Sequence, residues 1–145
     1  MMQGLGRFLA LPAAEKGRAL EAALCLLAVR LAFGLLPLPR ALRLFGIVKG
    51  EAGSGRIAAS EAQEVSRAIA RVARHVPFRA VCLQQAFAAL LMLRRRGLKA
   101  TVHLGLARKA ESGDLEAHAW SRCGDVPVTG VAAARGFAAV AAFAA

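Results

Sequence analysis

Aromatic and acidic residues are both scarce in this chain of 145 residues. There is no Tyr, one Trp and 6% aromatic residues in all, whereas proteins that bind single-stranded nucleic acid stack bases on such side chains. Only 9 Asp and Glu stand against 20 Lys and Arg, so the net charge is +11. This excess favours an acidic partner. Because stacking residues are few, we expect an acidic peptide or an anionic membrane surface, and no nucleic acid.

Cysteine is limited to Cys25, Cys82 and Cys123, which are widely spaced. No C-x-x-C pair is present, so neither a metal site of that type nor a disulfide framework is indicated. A zinc site from Cys82, His118 and Cys123 would need a fourth ligand and tighter spacing. We therefore expect no metal and a reducing, cytoplasmic location. The N-terminal residues show no signal-peptide core with a cleavage site.

Residues 19–38 form a strongly apolar run, which is long enough to span a bilayer. Glu21 and Arg30 interrupt it, and a charge at the centre of a membrane helix costs about 2.5–3.5 kcal/mol on insertion scales. The run therefore predicts a buried or interfacial amphipathic helix rather than a membrane span. Its core-facing stripe is predicted from regularly spaced leucines, namely Leu20, Leu24, Leu27 and Leu31. Apolar residues on its other faces lead us to expect that the helix is partly exposed or bound to a partner.

The residue pattern predicts an α+β fold, in which N-terminal helices are followed by a small antiparallel sheet. Helical patterns cover residues 13–33, 40–46, 60–75 and 82–96, with a flexible loop at 49–55. Alternation predicts strands at 99–107, 117–123 and 126–130, with a hairpin turn at Gly124-Asp125. The Ala-rich tail from Val131 is expected to form a short docking helix.

Cys82 and His118 are the candidate catalytic residues. Cys82 lies where a loop becomes a helix, and a helix N-terminus stabilises a thiolate. His118 lies on a predicted strand 36 residues later and could hold the proton of the thiol. This arrangement is typical of papain-like and transglutaminase-like cysteine enzymes. A structural role stays open for both residues, because free Cys is often buried and a lone His in a strand is often structural.

The other Cys and His residues are interpreted as structural or incidental. Cys25 lies inside the leucine stripe and is expected in the core. Cys123, beside the hairpin turn, is expected to be partly exposed. His75 suits a helix C-terminus, and His103 has no predicted partner.

Five segments, taken in order, resemble the lasso-peptide biosynthesis B2 proteins. They are residues 76–86 (VPFRAVCLQQA), 93–98 (LRRRGL), 103–105 (HLG), 117–120 (AHAW) and 126–130 (VPVTG). Proteins of that family are transglutaminase-like cysteine proteases that remove the leader peptide from a lasso precursor. The resemblance implies a transglutaminase-like or papain-like cysteine protease fold. It also implies that Cys82 is the nucleophile, that His118 is the general base, and that no cofactor is needed.

The third catalytic residue departs from the family pattern. The family has an Asp about twelve residues after the His, and this chain has Gly130 there. Asp125 is about 20 Å from His118 along an extended strand. We therefore expect the ring to be held by Thr129, which the expected hairpin register places on the face of His118. Glu116 or a backbone carbonyl are the alternatives.

The resemblance also implies partners. The apolar segment 1–50 is expected to pack on a peptidase core at 51–145, within a single domain. It leaves no room for a fused leader-recognition element, so a separate recognition protein is expected to deliver the precursor peptide. An ATP-dependent lactam synthetase then receives the core peptide. The alternative function is a non-catalytic basic adaptor that binds an acidic peptide or a membrane surface, with Cys82 structural.

Overall fold

The computed structural model describes residues 2–53, 55–78 and 80–145, with side chains from Gly6 onward. Ser54 of the predicted loop and Arg79 of segment 76–86 lie outside the described residues. The described helices are α1 (Met2–Leu9), α2 (Ala13–Leu35), α3 (Leu38–Leu44), α4 (Ala59–Ala73) and α5 (Cys82–Arg95). The described strands are β1 (Val48–Lys49), β2 (Thr101–Arg108), β3 (Leu115–Cys123), β4 (Val126–Thr129) and β5 (Ala138–Ala144).

The described strands form one antiparallel sheet in the order β1-β5-β2-β3-β4. The predicted hairpin is confirmed, because Cys123 pairs with Val126 across the turn at Gly124-Asp125. Helices therefore precede an antiparallel sheet, and the α+β prediction is confirmed. The division into segments 1–50 and 51–145 stays a prediction, although residues of α2 belong to the same hydrophobic core as α4, α5 and the sheet.

Helix α5 lies at the centre of the core and packs against α2, α4 and the sheet. Its residues from Ala86 to Leu93 are all buried. Phe87 makes an edge-on contact with Phe33 of α2 at 5.1 Å between ring centroids, and it also contacts Phe143 of β5 at 5.8 Å. Aromatic contacts of this kind contribute beyond area burial. Phe87 thus joins the helical layer to the sheet.

The predicted core stripe of α2 was wrong. The leucines spaced by three and four residues are exposed, and the buried face is formed by Ala19, Ala22, Leu26, Val29 and Ala32. Both sets have helical spacing, so periodicity alone could not separate them in a helix that is apolar nearly all round. The small alanines allow α2 to approach α4 and α5 closely, and this packing decides the face.

The predicted docking helix in the C-terminal tail was also wrong. After a short 3-10 turn at Ala132–Ala134, the tail forms β5, which inserts between β1 and β2. β5 satisfies the backbone groups along one edge of β2, and it brings Phe143 against Phe87. Long-range pairing therefore overrides the helix preference of the alanines.

Cys123 was expected to be partly exposed, but it is fully buried. It points to the helix side of the sheet, together with Ala119. None of the described helices combines the length and hydropathy needed to cross a bilayer.

Two substitutions in α2 test which face is buried. Leu26 is 0% exposed and Leu24 is 65% exposed. Leu26→Ala is expected to lower the free energy of unfolding by about 2–5 kcal/mol, because it leaves a cavity in the core. The matched change Leu24→Ala is expected to alter it by about 0.5 kcal/mol or less. Urea denaturation measures both, and similar losses in the two variants would contradict the assigned face.

Candidate active site

Cys82 is the first residue of α5 and is half-buried. The preceding Val81 is the N-cap residue, and it has an extended backbone and forms no side-chain capping hydrogen bond. The Gln85 side-chain amide donates to the Ala80 carbonyl at 2.7 Å, which fastens the incoming loop to the first helical turn. No acidic residue lies in that turn. The first backbone N–H groups of a helix have no partner within it, and the helix dipole favours negative charge there. The position therefore suits a thiolate.

His118 lies on β3 and its imidazole is held by the backbone. Nε2 is 2.8 Å from the carbonyl oxygen of Gly130. A carbonyl can only accept, so Nε2 carries the hydrogen and donates it. In the neutral ring, Nδ1 is then the unprotonated nitrogen. This tautomer leaves Nδ1 able to accept a proton from another group.

Thr129 was predicted to hold the ring, and this prediction was wrong. Its hydroxyl is buried and forms a hydrogen bond of 2.7 Å with the hydroxyl of Ser121. The cause is an irregularity in the β3–β4 ladder: Arg122 pairs with Pro127, but Ser121 pairs with Thr129. The extra residue turns Thr129 to the face of Ser121, which is opposite to that of His118. Of the alternatives considered, the backbone carbonyl holds the ring.

Gly130 stands where the proteins that this chain resembles have an Asp, and its geometry does not suit a side chain. Its φ is +65°, a conformation that L side chains rarely adopt. A Cβ at this position would lie 2.7 Å from the Ala119 carbonyl oxygen and 3.0 Å from His118 Nε2. There is no room for a carboxylate side chain, and the carbonyl of the same residue takes its place beside the imidazole. Asp125 is exposed in the hairpin turn.

Aromatic rings surround His118 on its face of the sheet. Trp120 stacks against it at 6.0 Å between centroids, and Phe137 lies at 5.3 Å. His103 also stacks on Trp120, at 5.6 Å between centroids, so it has a partner that the sequence did not reveal. Trp120 lies over Gly105, where a Cβ would be 2.6 Å from the indole. The sequence also showed no sign that Phe137 is a neighbour of His118, because the residues before β5 reach this face only through the pairing of β5 with β2.

The helix that carries Cys82 packs on one face of the sheet, and the side chain of His118 lies on the other. Cys82 packs against the hydrophobic cluster that includes Ala119 and Cys123 of β3. Alternation along the strand puts His118 and Trp120 on the other face. In the described part of the chain, no hydrogen bond joins the Cys82 thiol to the His118 ring. The pairing of these two residues in catalysis stays a prediction.

Comparison with known families resolves the broader identity. The model of the transglutaminase-like superfamily matches residues 23–142, which include α5, β3 and both candidate residues. The chain belongs to the transglutaminase-like superfamily. No curated protein and no solved structure matches it significantly. Membership in this superfamily is consistent with cysteine-protease-type chemistry, and the superfamily fold agrees with helices followed by an antiparallel sheet.

Two glycine substitutions separate the cost of the close contact at Gly130 from the cost of its backbone conformation. Gly113 has a φ of +72° and open space around its Cβ position, so Gly113→Ala is expected to cost about 1–2 kcal/mol of unfolding free energy from conformation alone. Gly130→Ala is expected to cost about 1–3 kcal/mol more, because the methyl group must displace the Ala119 carbonyl or the imidazole. Thermal or urea denaturation measures both. Equal losses would mean that the space at Gly130 is not restricted.

Proposed function

We propose that this chain is a cysteine peptidase that removes the leader peptide from a lasso-peptide precursor in the cytoplasm. Cys82 is the nucleophile and His118 the general base. A separate recognition protein delivers the precursor, and a lactam-forming synthetase receives the product. The observation that carries the proposal is the bond from His118 Nε2 to Gly130, which leaves Nδ1 as a base on the strand against which the helix of Cys82 packs.

Chain geometry supports a common location for the two residues. Cys82 and Arg95 are about 20 Å apart along α5, at 1.5 Å per residue. β2 then runs back beneath the helix and rises about 3.3 Å per residue. It has therefore run a length equal to that of the helix when it reaches Gly105 to Ala107. Gly105 pairs with His118. The start of α5 and His118 are thus expected at the same end of the sheet.

The proposed reaction follows from these groups. Nδ1 of His118 takes the thiol proton, and the Cys82 sulfur forms a bond to the scissile carbonyl carbon. The backbone N–H of Cys82 helps to stabilise the oxyanion. His118 gives its proton to the leaving amine nitrogen as the C–N bond breaks. Water then attacks the thioester, passes a proton to His118, and displaces the sulfur, which regains the proton. The thiol and imidazole must come within about 3.2 Å during these steps. Because the ring lies on the face of the sheet away from α5, this requires the thiol to reach it around the end of the sheet.

A second candidate is the basic adaptor without catalysis. The exposed leucines of α2, the net charge of +11 and the missing hydrogen bond between Cys82 and His118 favour it. An adaptor would bind an acidic peptide and leave it intact. The two functions are therefore separated by whether a precursor is cleaved.

Cleavage is tested by incubating the chain with a lasso precursor and its recognition protein, and by reading product masses. Cys82→Ala is expected to abolish the leader and core products. His118→Ala is expected to lower the rate by roughly 1,000-fold, because residues that act as a unit are not additive. Cys25→Ala is the matched control and should keep the rate per folded molecule. A wild-type chain that binds the precursor and leaves it intact would support the adaptor, and cleavage that persists in Cys82→Ala would exclude Cys82 as the nucleophile.

Alkylation tests the nucleophile without a substrate. Burial raises the pKa of the Cys25 thiol, and the nearby Glu21 carboxylate raises it further. Little of Cys25 is then thiolate at pH 7, and Cys123 is fully buried. Iodoacetamide at pH 7 is therefore expected to modify Cys82 first, because Cys82 is only half-buried and lies at the start of a helix. Peptide mapping by mass spectrometry gives the order, and faster modification of Cys25 would argue against Cys82.

A further inference from the structure

An open cavity lies between the C-terminal half of α2 and the start of α5. Its volume is about 520 Å³, within the range of ligand sites in proteins. Its walls include Arg30, Leu31, Phe33, Leu35, Leu83 and Gln84. Leu83 and Gln84 follow Cys82 directly in the chain, so the cavity lies at the first turn of α5, the end of the helix that carries the proposed nucleophile. The reaction described above uses none of these residues.

Two polar groups indicate what the cavity would bind. The side-chain carbonyl oxygen of Gln84 is buried, and it has no hydrogen-bond partner in the described part of the chain. A buried acceptor without a donor costs about 1–3 kcal/mol, so a rotation of the Gln84 side chain that brings this oxygen to a ligand N–H in the cavity would be favourable. The Arg30 guanidinium lies 5.1 Å from the centre of the Phe78 ring and also lines the cavity. Arginine stays charged in proteins and binds carboxylates well.

An exposed apolar row leads along α2 to this cavity. We call it the α2 leucine row: Leu20, Leu24, Leu27, Leu31 and Leu35, which are 40–79% exposed. It extends about 23 Å at 1.5 Å per residue, and its last two members also line the cavity. Exposed apolar patches of this kind mark binding surfaces. The row and the cavity thus form one continuous surface that ends at the start of α5.

Charge indicates the nature of the occupant. The acidic residues of α2 are engaged in ion pairs, because Glu15 contacts Arg71, and Glu21 contacts Arg95 and Arg96. The chain as a whole carries a net charge of +11. Two copies would repel each other at this surface, whereas an acidic chain would be attracted. An occupant that combines apolar side chains with carboxylates matches both the leucines and Arg30.

We propose that the α2 leucine row and the cavity bind the peptide substrate through a segment that carries leucine-like side chains and carboxylates. One apolar side chain enters the cavity, a backbone N–H of the segment donates to Gln84, and a carboxylate pairs with Arg30. The segment is thereby held beside Cys82. This inference rests on the proposed function for the identity of the peptide, but binding itself requires no cleavage.

Binding is measured with the Cys82→Ala variant, so that no turnover occurs. The probe is a fluorescein-labelled peptide of about 16 residues, long enough as a helix to follow the row, in which Leu recurs every three or four residues among Glu. A matched peptide has Gln in place of Glu. The Glu peptide is expected to bind about tenfold more tightly, as one charge-assisted pair provides. Fluorescence anisotropy gives both affinities.

Substitutions then locate the site. Arg30→Gln should weaken the Glu peptide about tenfold and remove the preference for Glu over Gln. Leu31→Ser should weaken both peptides. The controls are Arg67→Gln on α4 and Leu115→Ser on β3, which remove the same kinds of group from exposed positions elsewhere. They are expected to bind as the parent does.

Three outcomes would overturn the proposal. One is equal affinity for the two peptides, or an Arg30→Gln variant that binds as the parent does. Another is a dimer of the parent chain, detected by analytical ultracentrifugation, that is absent in the Leu24→Ser variant. That result would mean that the row binds a second copy of the chain. The third is binding to phosphatidylglycerol vesicles, lost in Leu24→Ser, without binding of the peptide. Cleavage by the wild-type chain is scored separately. Binding without cleavage would refute the peptidase function and support the binding site. Cleavage without these binding effects would support the peptidase function and refute the binding site.

Discussion

The burial of α5 is the constraint on which the rest of the structure depends. Its middle, from Ala86 to Leu93, is enclosed by α2, α4 and the sheet. A helix enclosed in this way cannot shift or rotate without opening the core. At its C-terminal end, Glu21 of α2 accepts hydrogen bonds from Arg95 and Arg96, and this bonding raises the pKa of Arg96. Packing and ion pairs together fix the helix axis, and they fix the position of Cys82 at its other end.

The same packing explains which features the sequence could predict. The start of α5 follows from Pro77 and the apolar run after Cys82, and the β3–β4 hairpin follows from Gly124-Asp125 between alternating residues. These are local signals, and the structure agrees with them. Which face of α2 is buried cannot be predicted from the local sequence. Leu20 and Ala22 are both apolar, and the choice between them depends on how closely the neighbouring helices can approach.

The details of the candidate site could not be predicted from the sequence, for a related reason. The face of Thr129 depends on one extra residue in a strand ladder, and a shift of one residue reverses every side chain beyond it. The tail is Ala-rich and would be helical by propensity, yet it completes the sheet and carries Phe137 to His118. Each of these outcomes is set by contacts between residues far apart in the chain. Residue types identify Cys82 and His118 as candidates, but register decides what surrounds them.

Gly130 has a chemical consequence if His118 acts as proposed. A carboxylate beside an imidazole orients the ring and also stabilises the positive charge that develops when the ring takes a proton. The carbonyl of Gly130 supplies the orientation, because it fixes the hydrogen on Nε2, but it brings a dipole in place of a full charge. A carboxylate side chain introduced at position 130 would not fit beside the ring in this backbone, since a Cβ there meets the Ala119 carbonyl. The backbone conformation, and not the missing side chain alone, therefore commits this chain to a ring held by a neutral acceptor.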